Sequence, residues 1–303
     1  MTNLIYFDQI CPNLPIADPA NKAVRDDFAA TFTQKWPENT LLQSGYGADD
    51  LAAMLVTSQY LQRLALRHGE DVGPCLNGQA ASQINIAKTH FIASMRSAGD
   101  EKTALRAIRI WRERTALMVA LSDLAGREDM PQQMQWLSEA AQTVLSAAIQ
   151  YLFRQAAQRG KIKNFDADLS RCGWTVLALG KLGAGELNFS SDIDLIMLHD
   201  THHAPFDNRD AVQPFFVAMT RDLIRLLGSA TSDGIGWRVD LRLRPDPGAT
   251  AVSIDLTAAI SYYESIARTW ERAAFIRARP VAGDLALGNS FLEQIQPFIW
   301  RKT

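Results

Sequence analysis

The stretch LNFSSDIDLIML, residues 187–198, decides the fold because it joins a polar loop to an apolar run. Its Ile- and Leu-rich end predicts a strand over residues 192–199. Side chains alternate across a strand, so Asp192 and Asp194 are expected on one face, about 7 Å apart along the backbone. Two like charges placed in this way repel each other unless a positive group lies between them. The pair therefore indicates either a strand end that emerges into water or a functional carboxylate site.

Two further strands are predicted near this one. WTVLALG, residues 174–180, is short and apolar, whereas WRVDLRLRP, residues 237–245, alternates strictly between charged and apolar positions. The alternation predicts one charged face formed by Arg238, Asp240, Arg242 and Arg244. A solvated outer face would show the same pattern. Three arginines around an acid, combined with the aspartate pair, favour a phosphate and metal site.

A glycine-rich segment, GKLGAGELNFSS at residues 180–191, precedes the aspartates. It is not a P-loop, because no Ser or Thr follows Lys181. It does not fit a dinucleotide-binding turn either, because only about six residues separate Gly185 from the next strand and a parallel crossover needs a dozen or more. The remaining interpretation is a short connection that brings Ser190, Ser191 and the aspartates together. Oxygen ligands of this kind suit a nucleotide phosphate bridged by Mg²⁺.

Helical periodicity dominates the rest of the chain, including residues 24–36, 49–159, 212–228 (closed by Gly228) and most of 254–280. The pattern predicts an α+β fold that is mainly helical, with a small mixed sheet flanked by helices and an N-terminal helical region. We expect a helical region over residues 1–160, a domain that contains the predicted strands over residues 161–284 and the start of a C-terminal helical region over residues 285–303. Arg106, Arg109, Arg112 and Arg114 on one predicted helix are expected to form a solvated face.

Composition limits the classes of function. The 303 residues are 47% hydrophobic and carry a formal net charge of −2, so the bulk charge does not predict nucleic acid or an anionic membrane as a partner. Three cysteines without paired spacing argue against a disulfide framework or a zinc ribbon. No window reaches the roughly 18 apolar residues of a membrane span. These features predict a cytoplasmic protein.

Three blocks, GKLGAGELNFSSDIDLI, DGIGWRVDLRLRP and YYESIARTWERAAFIRARPVAGD, resemble the glutamine synthetase adenylyltransferase/adenylyl-removing enzyme family. More broadly, they are similar to the nucleotidyltransferase fold of the DNA polymerase β type. The resemblance is close over residues 174–284 and looser over the preceding helices. Ala184 departs from the family pattern, where a second glycine is common. Family members carry two tandem nucleotidyltransferase domains, whereas this chain has one, over residues 161–284. Because that domain follows a long helical region and the N-terminus, the chain resembles the N-terminal half, and it is expected to be a truncated portion.

The resemblance implies an enzyme of the nucleotidyltransferase class. The half it resembles is associated with phosphorolytic removal of AMP from an adenylylated tyrosine of glutamine synthetase, which yields ADP. Mg²⁺ is the implied cofactor; Asp192, Asp194 and Asp240 are the implied catalytic and metal-binding residues. Phosphate or nucleotide contacts are expected from Gly180, Lys181, Gly183, Ser190, Ser191, Arg238, Arg242 and Arg244. The implied partners are glutamine synthetase, orthophosphate, ADP, ATP and a PII signalling protein.

Alternatives remain open from the sequence. The chain could transfer AMP from ATP to glutamine synthetase or another acceptor, or it could be a non-catalytic nucleotide-binding regulatory module. A second metal site, formed by His199, His202 and His203 with Asp200 and Asp207, is not favoured because these residues follow the strand in a loop. Arg272, Arg277 and Arg279 fall in the third block, where they either brace the site or serve ordinary packing.

Overall fold

The computed structural model describes residues 21–37, 47–162, 168–202 and 209–300. These residues form a mainly helical chain with one small mixed sheet, which confirms the α+β prediction. The chain divides into two compact units, one of residues 1–89 with 111–133 and the other of residues 90–110 with 134–303. None of the described helices combines the length and the apolar composition needed to cross a membrane.

The first unit is built from short helices and from parts of three long ones. The short elements are α1 (Lys22–Lys35), α2 (Ala48–Leu55), α3 (Gln59–Arg67), a 3₁₀ turn (Gly69–Asp71) and α4 (Val72–Leu76). The long helices, which the division crosses, are α5 (Ala80–Ser97), α6 (Glu101–Leu124) and α7 (Met130–Gln158). Arg114 on α6 donates to the fully buried Asp71 at 2.6 and 2.7 Å, so this arginine is an internal counterion. The prediction that it lies on a solvated face is wrong.

The second unit contains a five-stranded sheet, with strands β1 (Trp174–Ala178), β2 (Ile193–His199), β3 (Val239–Asp240), β4 (Ser253–Asp255) and β5 (Arg279–Gly283). β1 pairs antiparallel with both β2 and β5. β3 and β4 both run parallel to β2, β3 beside its start and β4 beside its end. β1 is buried throughout and β2 almost throughout, which explains their continuous apolar sequences.

Helices cover both faces of this sheet. They are α8 (Gly180–Ala184), a 3₁₀ turn (Arg209–Ala211), α9 (Val212–Gly228), α10 (Leu256–Ser265), α11 (Thr269–Phe275), α12 (Leu285–Gln294) and α13 (Gln296–Ile299). On one face, Trp174 stacks on Phe216 of α9 at 5.8 Å, and Phe153 of α7 packs beside them. The other face packs against α10 to α13 through a cluster of Leu177, Leu179, Ile196, Leu198, Ile254, Ala259, Tyr263, Phe275, Phe291, Ile295 and Ile299.

Several boundary predictions are wrong. The strand expected over residues 237–245 contains only Val239–Asp240, because the chain turns at once and the Arg244 amide donates to the Leu241 carbonyl at 3.3 Å. The long helix expected after Pro245 is instead β4, α10, α11 and β5. The glycine-rich connection contains a short helix, α8. Helix α9 matches its predicted range, but Gly228 is its last residue and Ser229 is the C-cap.

Arg109 is the second arginine that sequence reasoning misplaced. Its side chain is fully buried and donates to the backbone carbonyls of Leu226 at 2.5 Å and of Ser229. These are unpaired carbonyls at the C-terminal end of α9, where a cation is favoured. Arg109 therefore anchors the segment that leads from α9 into β3.

Candidate active site

The register of β2 and β3 brings two of the predicted acids together. Asp194 and Asp240 are paired positions in the parallel ladder, so their side chains project from the same face of neighbouring strands about 4.8 Å apart. Asp192 precedes Asp194 by two residues and lies just before the start of β2. Three carboxylates from two segments therefore meet at one corner of the sheet.

Arginines hold the two outer carboxylates. Arg238 donates to Asp192 and also to the Ser190 carbonyl, while its own carbonyl accepts from the Ile193 amide at 2.9 Å. Arg242 donates from Nε to both oxygens of Asp240, at 3.0 and 2.8 Å. Its Nη2 also donates to Asp240, and its main-chain amide adds a further bond at 2.8 Å. The hydrogen bonds from Arg242 lower the pKa of Asp240 below its usual value.

Asp194, the central carboxylate, is electrostatically different. Burial raises its pKa, and the neighbouring charges of Asp240 and Asp192 raise it further, while Arg242 opposes them. No side chain in the described part of the chain donates a hydrogen bond to it in the way that the arginines serve its neighbours. Its ionised form is therefore the least stabilised of the three, and it would gain the most from a cation.

Gly180 makes room for the Asp194 side chain. Its φ of +52° lies in the left-handed region, and a Cβ at this position would lie 2.5 Å from Asp194 Oδ2. The backbone also connects the two segments, because the Leu179 amide donates to the Asp194 carbonyl at 2.9 Å. The start of α8 is thus in direct contact with the central carboxylate.

The end of α8 is fixed by Arg279 from β5. Arg279 donates to the carbonyls of Gly183 at 2.8 Å and Leu182 at 3.1 Å, which lie in the last turn of α8. Gly183 is buried, and a Cβ there would lie 2.7 Å from the Ala178 carbonyl oxygen. Its close approach is to the chain's own backbone, and the phosphate contact predicted for it remains untested. Arg277 adds an exposed ion pair to Glu186 at 2.9 Å.

A polar cluster lies between α8 and β2. Asn188 accepts through its Oδ1 from Lys181 Nζ at 3.3 Å and from the Ser191 hydroxyl. Ser190 has a φ of +58°, which is uncommon for a residue other than glycine. Sequence reasoning selected Lys181 and both serines but missed Asn188. Its position inside the polar LNFSS segment was the available signal.

Comparison with known proteins supports the resemblance that these blocks suggested. The family model described as Glutamate-ammonia ligase adenylyltransferase matches residues 48–294. The chain belongs to this family. A relative from Xanthobacter autotrophicus is 47% identical over 212 residues, which cover 69% of this chain and 21% of the relative. One from Mesorhizobium japonicum is 40% identical over 266 residues, covering 86% of this chain and 27% of the relative.

Both relatives are named bifunctional glutamine synthetase adenylyltransferase/adenylyl-removing enzyme. This chain therefore spans only between 21% and 27% of the length of the curated relatives it matches. Membership of the glutamate-ammonia ligase adenylyltransferase family is established for the segment, whereas the activity, substrates and partners of the whole relatives are not thereby transferred to it.

Arg244 lies apart from the cluster that its predicted role requires. Its guanidinium donates to the carbonyls of Leu241 at 2.9 Å and Pro247 at 2.7 Å, so it stabilises the turn that follows β3. The turn separates it from Arg242, with which it would share a face on a continuous strand. Its predicted phosphate contact is untested, but the observed contacts are those of a turn-stabilising residue.

The three carboxylates are the type of ligand that a hard divalent cation prefers, but their present positions do not form a site for one. Carboxylate oxygens are the ligands that Mg²⁺ prefers, and the repulsion that raises the pKa of Asp194 is relieved by positive charge. Within the described ranges, however, no three His, Cys, Asp or Glu side chains are close enough together to hold a metal ion. Asp192 and Asp240 are each engaged by an arginine. Both carboxylates must leave their arginines before three oxygens can converge.

The histidine-rich loop does not form a second metal site among the described residues. His199 and Asp200 are buried, and His199 Nδ1 lies 3.0 Å from the Ser253 hydroxyl. Asp200 accepts from the His202 amide at 2.7 Å. His203 and Asp207 lie outside the described residues. The described members of this group therefore have structural contacts.

Proposed function

We propose that this chain removes AMP from the adenylylated tyrosine of glutamine synthetase by phosphorolysis, yielding ADP and the unmodified protein. The observation that carries the proposal is the pairing of Asp194 with Asp240, beside Asp192, in a member of this family. Family membership supports the protein substrate and the nucleotidyltransferase reaction. A PII signalling protein as regulator and a cytoplasmic setting belong to the same proposal.

Asp192, Asp194 and Asp240 would hold Mg²⁺ in this proposal. When bound, the cation would neutralise charge on the phosphate of the adenylyl group being transferred. Among the residues expected to contact phosphate, Arg238 and Arg242 are bonded to two of these acids, and Gly180 lies against the third. Lys181 and Ser191 both donate to Asn188, and the Ser190 carbonyl accepts from Arg238. Guanidinium groups match phosphate oxygens through paired hydrogen bonds, so Arg238 and Arg242 would orient the nucleotide.

The state of Asp240 supports removal over addition. Addition of AMP requires a tyrosine hydroxyl, with a pKa of about 10, to lose its proton. Arg242 holds the pKa of Asp240 low, and a cation bound in its place would favour the same ionised form, so this carboxylate is a weak proton acceptor. Removal has no such requirement, because orthophosphate is already an anion and the departing phenolate is a moderate leaving group. Positioning and charge neutralisation then supply most of the catalysis.

The test is ADP release when the chain is mixed with adenylylated glutamine synthetase, orthophosphate and Mg²⁺. We expect release with the wild type and none with the double variant Asp192→Asn/Asp194→Asn. Transfer of AMP from ATP to unmodified glutamine synthetase, without ADP release from the modified form, would assign the opposite direction. Absence of both reactions, together with retained nucleotide binding, would support the regulatory-module alternative.

A further inference from the structure

The two arginines at the site are exposed, although the carboxylates that they bind lie beside the central acid in the sheet. The Arg238 side chain is 57% exposed and that of Arg242 is 84% exposed, whereas the Asp240 side chain is only 14% exposed. The Arg242 guanidinium therefore covers Asp240 from the solvent side, whereas Asp192 is itself 48% exposed beside Arg238. A ligand that reaches Asp240 from solvent meets Arg242 first.

The side chains of Arg238 and Arg242 are held less firmly than those of other arginines in the same unit. Arg109 and Arg279 donate to backbone carbonyls that cannot move without disturbing α9 or α8. Arg242 is bound through side-chain contacts to Asp240, and Arg238 through Asp192 and the Ser190 carbonyl. Exposed ion pairs of this kind contribute at most about 1 kcal/mol. Exchange of their partners is therefore inexpensive.

The arrangement also allows a cation to take the place of the two guanidiniums beside the acids. Asp194 is paired with Asp240 in the strand register and follows Asp192 by two residues, so it neighbours both carboxylates that the arginines occupy. A divalent cation placed between the three acids would supply more charge than either guanidinium. Both guanidiniums would then be released beside the cation, where phosphate oxygens need counterions.

We infer that Arg238 and Arg242 compete with the divalent cation for Asp192 and Asp240, and that cation binding transfers both guanidiniums to the phosphates of the nucleotide. This inference rests on the proposed function, because it assumes that cation and nucleotide share the carboxylate site. Its consequence is positive coupling between the two ligands. By linkage, the factor by which the cation tightens nucleotide binding equals the factor by which the nucleotide tightens cation binding.

Manganese binding, measured by calorimetry without nucleotide, tests the competition directly and needs no turnover. We expect Arg242→Gln to bind Mn²⁺ about fivefold more tightly than the wild type, because the variant lacks the exposed ion pair that competes for Asp240. Arg225→Gln is the matched control. Arg225 is also exposed and ion-paired, but its partners Glu101 and Asp222 are not site carboxylates. This control should leave Mn²⁺ affinity unchanged.

ADP binding in saturating Mn²⁺ tests the transfer. Arg242→Gln should weaken it about tenfold, because the variant lacks a charged contact to phosphate. The Arg225→Gln control should again match the wild type. A variant that binds both Mn²⁺ and ADP more weakly than the wild type would show that Arg242 supports the cation site, and would overturn the inference.

Asp194→Asn separates failure of this inference from failure of the proposed function. Mn²⁺ binding that is lost in Asp194→Asn establishes the carboxylate site. If that dependence holds while Arg242→Gln binds Mn²⁺ no more tightly than the wild type, the competition is wrong and the proposed function stands. If the wild type binds no Mn²⁺ through Asp194, both the inference and the proposed metal site are wrong.

Discussion

Both ends of β2 carry ionisable side chains, but the groups that contact these side chains differ between the two ends. At its start, Asp192 and Asp194 lie beside Asp240, and exposed arginines neutralise the outer carboxylates. At its end, His199 is fully buried, contacts the Ser253 hydroxyl at 3.0 Å and stacks on Phe216 at 5.4 Å. We call the start of β2, at Asp192 and Asp194, its exchangeable end, and the region around His199 its fixed end.

This difference distinguishes a candidate functional site from polar groups that only stabilise the fold. At the fixed end, Asp255 accepts from the Thr201 hydroxyl at 2.6 Å and from the Thr257 amide at 2.9 Å, so it caps α10 and secures the loop after β2. At the exchangeable end, negatively charged carboxylates lie close together, and their repulsion is relieved when a ligand supplies positive charge. Like-charge clusters are typical of functional sites, whereas capped and buried polar groups are typical of structural ones.

The largest effect is expected from Asp194→Asn. Loss of one preorganised charge at a site of this kind lowers turnover by about 10³-fold. Because burial and neighbouring acids raise the pKa of Asp194, its ionised form destabilises the folded state near neutral pH. The variant should therefore melt at or above the wild-type temperature in calorimetry while losing ADP release. A lower melting temperature would mean that Asp194 is a structural residue like those at the other end of β2.

Gly180→Ala should have the next largest effect. The left-handed φ of +52° costs alanine about 1–2 kcal/mol, and its Cβ would collide with Asp194 Oδ2. We expect a lower melting temperature together with a loss of turnover larger than the loss of folded protein explains. Gly185→Ala is the control, because Gly185 is also left-handed but has open space around it. Equal loss of turnover in both variants would argue that backbone strain alone, and not contact with Asp194, is responsible.

Ser253→Ala tests the fixed end of β2. It leaves the buried His199 Nδ1 without its partner, at a cost of about 1–3 kcal/mol of folding stability. Turnover per folded molecule should stay at the wild-type value, because the residue lies at the far end of the strand from the carboxylates. Denaturant titration and steady-state ADP release on the same preparation measure the two quantities. A stable variant with impaired turnover would contradict the division between the two ends.

The smallest effect is expected from the pH dependence of stability. Burial lowers the pKa of His199 in the folded chain. As the pH falls, the unfolded chain therefore binds a proton at this histidine before the folded chain does. Stability therefore falls as pH drops below about 6.5, the usual value for histidine, and recovers as pH rises. The variant His199→Asn should show a shallower fall than the wild type when free energies of unfolding are compared from pH 7 to pH 5.5. Parallel curves would indicate that His199 does not titrate differently in the two states.

Long periodic segments were predictable from the sequence. Helix α9 has the predicted range, Val212–Gly228, because its apolar positions recur with a helical period over four turns. β2 was predicted to within one residue, since its apolar run is short and is bounded by polar residues. Both signals are local, so the sequence alone contains them.

The short strands and the buried arginines were not predictable in the same way. β5 contains Pro280 and pairs with β1 through an irregular register, so its strand character depends on a neighbour more than a hundred residues away. The alternation over residues 237–245 was misleading because Arg242 folds back onto Asp240 within a turn. Arg109 fits a solvated helical pattern until the carbonyls at the end of α9 are placed against it.

The sequence by itself determined the candidate residues, the mainly helical α+β class and the family, because residue type, periodicity and motif order are properties of the chain. Only the tertiary structure decided which acids are neighbours and which arginines hold them. Asp192 and Arg238 are 46 positions apart and meet because β3 adds to the edge of β2. Such pairings depend on strand register, which is set by packing over the whole sheet and is not contained in any local pattern.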